Sequence, residues 1–196
     1  GTTSQVHSGT HKVQIASTDA NAAISLNRYS NNANAAYIHF TKSRSGTIGG
    51  NTIVQNGDLL GRIYFQGNGG DGNYAGAYVE CYVDGSPGTN DMPGRLSFLT
   101  SADGSPTPLE RLRIDSSGII KFDKYGGTTG KGRVEFGNSG EQYIEGYDTG
   151  NAGSGSYLAI GSNTDERMRI DSSGRVLISG QSVLSSTSLT YRLQVK

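Results

Sequence analysis

Along most of this chain apolar and polar residues alternate in short runs, broken by Gly, Ser, Asn and Asp. A period of two puts successive side chains on opposite faces of a strand. No stretch shows the 3.6-residue spacing of an amphipathic helix, so the pattern predicts an all-β chain rich in hairpins. The longest clean alternation is Tyr74–Val83. There Ala75, Ala77, Val79, Cys81 and Val83 fall on one face, and Tyr74, Tyr78, Glu80 and Tyr82 on the other. The same pattern predicts strands at Val13–Ile15, Ala22–Tyr29, Ala36–Thr41, Thr52–Gln55, Gln142–Tyr147, Tyr157–Ile160 and Tyr191–Val195. Turn clusters such as Asn56-Gly57-Asp58 and Asp84-Gly85-Ser86-Pro87-Gly88 separate them.

One stretch recurs almost unchanged. Glu110-Arg111-Leu112-Arg113-Ile114-Asp115-Ser116-Ser117-Gly118 returns 56 residues later as Glu166-Arg167-Met168-Arg169-Ile170-Asp171-Ser172-Ser173-Gly174. The one exchange, Leu112 for Met168, conserves volume. Alternation puts Leu112 and Ile114 on one face and Arg111 and Arg113 on the other, and Met168, Ile170, Arg167 and Arg169 repeat the arrangement. Asp-Ser-Ser-Gly reads as a tight turn, with Asp at its first position and Gly where φ turns positive. Apolar strands follow at 119–122 and 175–178, so the unit is a β-hairpin used twice. A second pattern, Gly-Arg-apolar-x-apolar, starts at Gly61, Gly94, Gly132 and Gly174. It suggests one strand type laid down four times, at intervals too irregular for a strict solenoid.

Composition changes the picture in one respect. Only 33% of the 196 residues are hydrophobic, none is Trp, and 30 are Gly, about twice the usual share. A lone domain of this size needs more core, whereas regular alternation with 11 Tyr and 5 Phe argues against disorder. The chain is therefore expected to bury its apolar faces against copies of itself, as an elongated, intertwined homo-oligomer. It divides into lead-in strands at 1–35, a main β domain at 36–122 and a second β segment at 123–196. Seventeen basic residues balance seventeen acidic ones without a basic run, which speaks against nucleic-acid binding. The single Cys81 excludes an intrachain disulfide. No apolar run is long enough for a transmembrane helix, and no signal peptide is recognisable. Gly1 in place of Met is what a fragment or a processed chain would show.

The nine-residue repeat with its following strand resembles a recurrent element of tailed-bacteriophage tail-fibre and stalk proteins, of the kind that precede an endosialidase-type intramolecular chaperone domain. Thr52–Asp58 leading into Gly61–Phe65, and Asp84–Gly88 through Asp91–Leu96, are similar to the same group. The resemblance covers roughly residues 36–122 and 157–179. It implies a homotrimer of β-prism or triple β-helix type with β-sandwich-like portions. It also implies a place in the virion tail, partners among other tail components, and contact with a bacterial glycan or protein receptor outside the host cell. The chaperone domain itself has no counterpart here, so self-cleavage is not implied.

Candidate chemistry is sparse. His7, His11 and His39 are scattered and lack the Cys or carboxylate neighbours of a metal site. No nucleophile elbow is present, since Gly153–Ser156 reads as a loop with no helix to follow it. No cofactor motif is present. Gly69-Gly70-Asp71-Gly72-Asn73 is expected to be a hairpin loop. Some phage tail proteins cleave polysaccharide, which makes Asp84 with Asp91 and Asp165 with Glu166 the carboxylate pairs to examine for a depolymerase. The bland reading is turn formation and ion pairing. Tyr74, Tyr78 and Tyr82 form the best candidate for a glycan-contacting stripe, against the alternative that they pack on a neighbouring subunit. The arginines of the two repeats are expected in structural ion pairs, because a catalytic site rarely needs two copies. The reading is a non-enzymatic fibre segment for host attachment. A polysaccharide depolymerase, or a fibre attached to the capsid or neck, is the alternative.

Overall fold

A computed structural model describes residues 13–18, 22–122, 130–136, 142–148, 155–162 and 165–178. The chain is all-β, with no helix among these residues. Ten strands form two five-stranded antiparallel sheets, each a simple meander. The first sheet contains β1 (Leu59–Asn68), β2 (Asn73–Val83), β3 (Gly94–Thr100), β4 (Leu109–Ile114) and β5 (Ile120–Phe122). The second contains β6 (Gly130–Phe136), β7 (Gln142–Asp148), β8 (Tyr157–Ser162), β9 (Asp165–Asp171) and β10 (Val176–Ile178).

The repeat is a hairpin in both places, β4–β5 and β9–β10. Each turn closes by a bond from the Gly118 or Gly174 N–H to the carbonyl of Asp115 or Asp171, both 2.9 Å. Both glycines take a left-handed φ, 78° and 75°. The Asp115 side chain accepts from the N–H groups of Ser117 and Ile119, and Asp171 from those of Ser173 and Arg175. The Asp supplies acceptors that the turn backbone lacks, which is why Asp opens both copies.

The duplication runs well beyond nine residues. In the first sheet Arg62 lies opposite Glu80, Glu80 opposite Ser97, and Ser97 opposite Arg113. In the second, Arg133 lies opposite Glu145, Glu145 opposite Ala159, and Ala159 opposite Arg169. Around these rows Tyr78-Val79-Glu80-Cys81-Tyr82 matches Tyr143-Ile144-Glu145-Gly146-Tyr147. Both sheets also carry a bulge at one place. The register slips between Phe98 and Leu99 and between Ile160 and Gly161, leaving Arg111 and Arg167 as the extra residues.

The bulge corrects the sequence reading of β4 and β9. Simple alternation puts Glu110 with Leu112 and sets Arg111 beside Arg113. Instead the extra residue carries Glu110 to the face of Arg113, where Ser97 Oγ donates to it at 2.8 Å. The four-copy strand motif is also corrected. Gly61–Phe65 and Gly132–Phe136 open the two sheets and are equivalent, and Gly94–Phe98 is a third strand. Gly174 and Arg175 belong to a turn instead of a strand.

No strand forms at 13–15, 22–29, 36–41 or 52–55, where alternation predicts one. Alternation reports which side chains share a face and is silent on whether a partner strand lies alongside. Residues 52–55 are used otherwise. Thr52 and Gln55 carbonyls accept from Arg44 and Asp58, and Val54 is buried. The expected strand at 191–195 and the loop at 123–129 lie outside the described residues.

The two faces are unlike, and in an unusual sense. Ile63, Val79, Leu96, Phe98, Leu112, Ile114, Ile120 and Phe122 share one face of the first sheet, yet Phe122 is 51% exposed. The polar face holds buried positions, Glu80 at 4% exposed and Ser97 fully buried, and on the apolar side Val83 at the end of β2 is fully buried as well. Ile144, Leu158, Ile160, Ile170, Val176 and Ile178 repeat the open apolar face in the second sheet, while Glu145 and Ala159 are buried.

Gly161 marks one close approach on the polar side. A Cβ there would stand 1.9 Å from Tyr143 Cζ, so the ring lies flat across the glycine. Gly161→Ala should therefore force the Tyr143 ring away and destabilise the protein by about 1–3 kcal/mol, as overpacking does. Gly76→Ala, where the nearest atom to a new Cβ is the Phe65 carbonyl oxygen at 3.7 Å, serves as the control and should cost less. Urea unfolding of the two variants checks this.

Candidate functional site

The polar face of the first sheet gathers a cluster of titratable and aromatic side chains. Its centre is Glu80, paired with the Arg62 guanidinium across β1 and β2. Arg62 also donates to the hydroxyls of Tyr64 at 2.9 Å and Tyr82 at 3.2 Å. Burial opposes the charge on Arg62, but its bonds to Tyr64, Glu80 and Tyr82 outweigh it and raise the guanidinium pKa. Burial also pushes the Tyr82 phenol up. The Arg62 guanidinium carbon sits 4.5 Å from the Tyr78 ring centroid, and Arg95 sits 4.6 Å from that of Tyr82. Tyr64 meets Tyr78 edge to face at 4.7 Å.

Of the predicted stripe, Tyr78 and Tyr82 share this face, whereas Tyr74 lies beyond the register slip between Phe65 and Gln66 and stands opposite Gly67. Arginines cover parts of both rings. Tyr74 stands at the far end of β2, 44% exposed, with its hydroxyl donating to Asp71 at 3.1 Å. The Gly69–Asn73 stretch is a hairpin loop, closed by a bond from the Gly69 N–H to the Gly72 carbonyl.

The second sheet carries a related face. Arg133 lies 3.8 Å from the Tyr143 ring centroid and Arg169 lies 3.9 Å from that of Tyr157. Where Arg95 stacks on Tyr82 in the first copy, Tyr157 stacks on Tyr147 in the second, at 5.1 Å. The Tyr157 hydroxyl donates to Glu145 at 3.2 Å.

The carboxylates of Asp84, Asp165 and Glu166 are engaged by neighbours, and Asp91 is held through its backbone. Asp84 accepts from the Ser116 backbone N–H and from Arg95, and both hold its carboxyl below the usual range. It thereby ties the end of β2 to the β4–β5 turn. Asp91 forms an isolated bridge with Gly88 in the loop between β2 and β3. Asp165 pairs with Arg167 at 3.4 Å and Glu166 with Arg169 at 2.5 Å. The repeat arginines Arg113 and Arg169 are accordingly ion-paired, Arg113 with Glu110 at 3.2 Å. Arg111 donates to Thr100 Oγ1 at 3.1 Å.

His39 stands edge-on to Tyr37, and His7 and His11 lie outside the described residues. Among the described residues no three His, Cys, Asp or Glu side chains gather as metal ligands would. Cys81 lies on the apolar face, where burial pushes its thiol up. None of the described helices is long and apolar enough to cross a membrane, there being no helix at all among these residues.

Sequence reading missed the Arg62–Glu80–Tyr82 cluster as a unit. The usable signal was Gly-Arg-apolar-x-Phe followed by Tyr-apolar-Glu-x-Tyr, which occurs in both sheets.

Among solved structures, the carboxy-terminal domain of the bacteriophage T5 L-shaped tail fibre aligns with 89% of this chain and 98% of its own, at 10% identity and a TM-score of 0.41. The same domain with its intramolecular chaperone domain aligns over 89% of this chain and 67% of its own, at 10% identity and a TM-score of 0.44. No protein-family model and no curated protein matches the sequence.

Two outcomes are expected. Glu80→Ala should cost about 3–5 kcal/mol, since it strands the half-buried Arg62 charge, and a double-mutant cycle with Arg62→Ala should recover part of that loss. Asp58, Asp84, Asp115 and Asp171 all have lowered carboxyl pKa values. Asp58 is held down by Arg44, Asp84 by Ser116, Asp115 by Lys121 and Asp171 by the Arg175 backbone N–H. Lowered folded-state values add stability that is present above the unfolded aspartate pKa, about 3.9, and disappears as pH falls through the folded values. Thermal unfolding should therefore be flat in this respect above about pH 4 and shift downward below it. Asp115→Asn and Asp171→Asn should flatten that acid limb.

Proposed function

We propose that this chain is a homotrimeric structural and adhesive segment of a bacteriophage tail fibre, acting in attachment to the host bacterium. The observation that carries the self-association is the inversion of burial. In both sheets most of the apolar face stands open, Val83 at the end of β2 excepted, while Glu80, Ser97, Glu145 and Ala159 on the polar face are buried. Burying a Val, Leu, Ile or Phe side chain fully is worth roughly 1.5–3 kcal/mol. Two sheets that leave more than ten such groups half exposed forgo most of that gain as single chains. An uncharged face repeated along the chain suits another chain with the same repeat, because the rows then meet in register without burying a charge. Three copies around an axis turn their apolar faces inward and their polar faces outward.

The tail-fibre assignment draws on the resemblance of the two hairpins and of the Thr52–Phe65 and Asp84–Leu96 stretches to tail-fibre and stalk proteins. On that reading the protein works on the virion, outside the host cell, with other tail components as neighbours. The outward face carries Tyr78 and Tyr82, and Tyr74 stands at the far end of β2 beyond the register slip between Phe65 and Gln66. Tyr74 is the most open of the three and is the residue proposed to meet a surface glycan. Three equivalent copies make weak contacts useful through avidity.

The test is native mass by light scattering, with receptor binding measured on the assembled protein. A mass near three times 20.6 kDa is expected. Leu112→Asp puts a charge in the centre of the proposed interface and should abolish assembly and cooperative folding together. A folded, monomeric Leu112→Asp protein would overturn the interface. Tyr74→Ala should keep the trimer and weaken binding to host envelope polysaccharide, and unchanged binding would remove Tyr74 from the contact.

A further inference from the structure

Residues 22–42 open the longest described stretch outside the sheets, which runs to 58. Every one of them is exposed, Tyr29 at 94%. No backbone-to-backbone hydrogen bond joins them to another described residue. Yet their apolar residues are placed as in a strand pair: Ile24 and Leu26 on one side of Ser25, Ile38 and Phe40 on one side of His39.

This placement matches a hairpin already described. In β4–β5, Leu112 lies opposite Phe122, Arg113 opposite Lys121, and Ile114 opposite Ile120. Ile24-Ser25-Leu26 set against Ile38-His39-Phe40 gives the same apolar–polar–apolar match with the same parity. A second correspondence ties 36–41 to β5. Phe40 lies on Gly61, where a Cβ would stand 2.5 Å from the Phe40 Cβ. Phe122 lies on Gly132, where a Cβ would stand 3.2 Å from its carbonyl oxygen and 3.6 Å from its Cβ. Gly61 and Gly132 hold equivalent places in the opening strands of the two sheets. The segment carrying Phe40 therefore precedes the first sheet as β5 precedes the second.

We infer that residues 22–41 are the closing strand pair of a further copy of the repeated unit, completed by a second copy of this chain: 22–29 of one copy pairs antiparallel with 36–41 of the next. The inference rests on the self-association argued above and specifies its backbone component. Phe40 lies on the open apolar face, in the groove it shares with Leu60, Ile63, Val79, Cys81 and Leu96. Whatever covers that face also covers Ile38 and Phe40. Covering them strips water from the adjoining N–H and C=O groups, and such groups must then find partners. A side-chain contact alone would leave them orphaned, whereas a strand alongside satisfies them. A second copy brings 22–29 with the matching parity, its apolar side carrying Ile24 and Leu26 with Arg28 following at the end of the stretch. Of the charges at this end, Lys42 and the Arg44–Asp58 pair lie outside the paired stretches, and Arg28 stands at the end of 22–29.

Hydrogen exchange read by mass spectrometry, run beside light scattering on the same sample, tests this. In the assembled protein, peptides covering 22–29 and 36–41 should exchange on the order of a thousandfold slower than an unstructured chain, as paired strand amides do. Ser25→Pro removes an amide donor and breaks a strand. It should abolish that protection and lower the assembled fraction, while Asn32→Pro, between the two strands, should do neither. An assembled protein whose residues 22–41 exchange at the free-chain rate would overturn the inference and leave the self-association standing. Protection of 22–41 in a monomer would also overturn it, by showing an in-chain partner. A monomer with 22–41 unprotected would remove the self-association reading, and this inference with it.

Discussion

Each sheet is organised by a charged row that crosses its strands on the polar face. Arg62, Glu80, Ser97 and Arg113 stand shoulder to shoulder, and aromatic rings close over them. Burial of the row follows from this local cover of tyrosines and arginines, since no second layer lies above it among the described residues. A carboxylate that is 4% exposed needs its partner held in place. That requirement sets the register of β1 on β2, and a slip of one residue would set Glu80 among the apolar side chains. The hydrophobic effect is usually what specifies register. Here, within a single chain, ion pairs and ring contacts do that work, and the apolar side is left for whatever assembles upon it.

The legible part of the structure was what period two can report. The faces of β2 over Ala77–Val83 and the two Asp-Ser-Ser-Gly turns were readable because face and turn chemistry are local. So were the first members of the Gly-Arg motif, β1 and β6. Arg111 shows the limit. A bulge adds a residue without leaving a trace in composition, so alternation across 110–114 assigns Glu110 to the wrong face. The expected strands at 22–29 and 36–41 fail for a different reason, because a strand exists only where another backbone lies beside it.

The candidate site was half legible. Tyr78 and Tyr82 fall on one face, as alternation requires. What covers their rings depends on Arg62 and Arg95, which come from neighbouring strands and are brought near only by register. The full extent of the duplication was hidden by loops of unequal length. Nine residues of the last hairpin keep a constant offset, whereas the offset from Arg62 to Arg133 is longer than that from Glu80 to Glu145. A search at a fixed period finds the hairpin and misses the sheet.

That drift in offset has a consequence of its own. Between the two copies the strand rows keep their partners, down to the bulge, while the connections between them change length. Loop closure becomes only slowly more costly with length, whereas a residue gained or lost inside a strand reverses its faces. Length is therefore a free variable at the ends of each sheet and a forbidden one within it. A lineage carrying this unit can rewrite what it displays at its loops, one insertion at a time, and still assemble with every relative that has kept the rows.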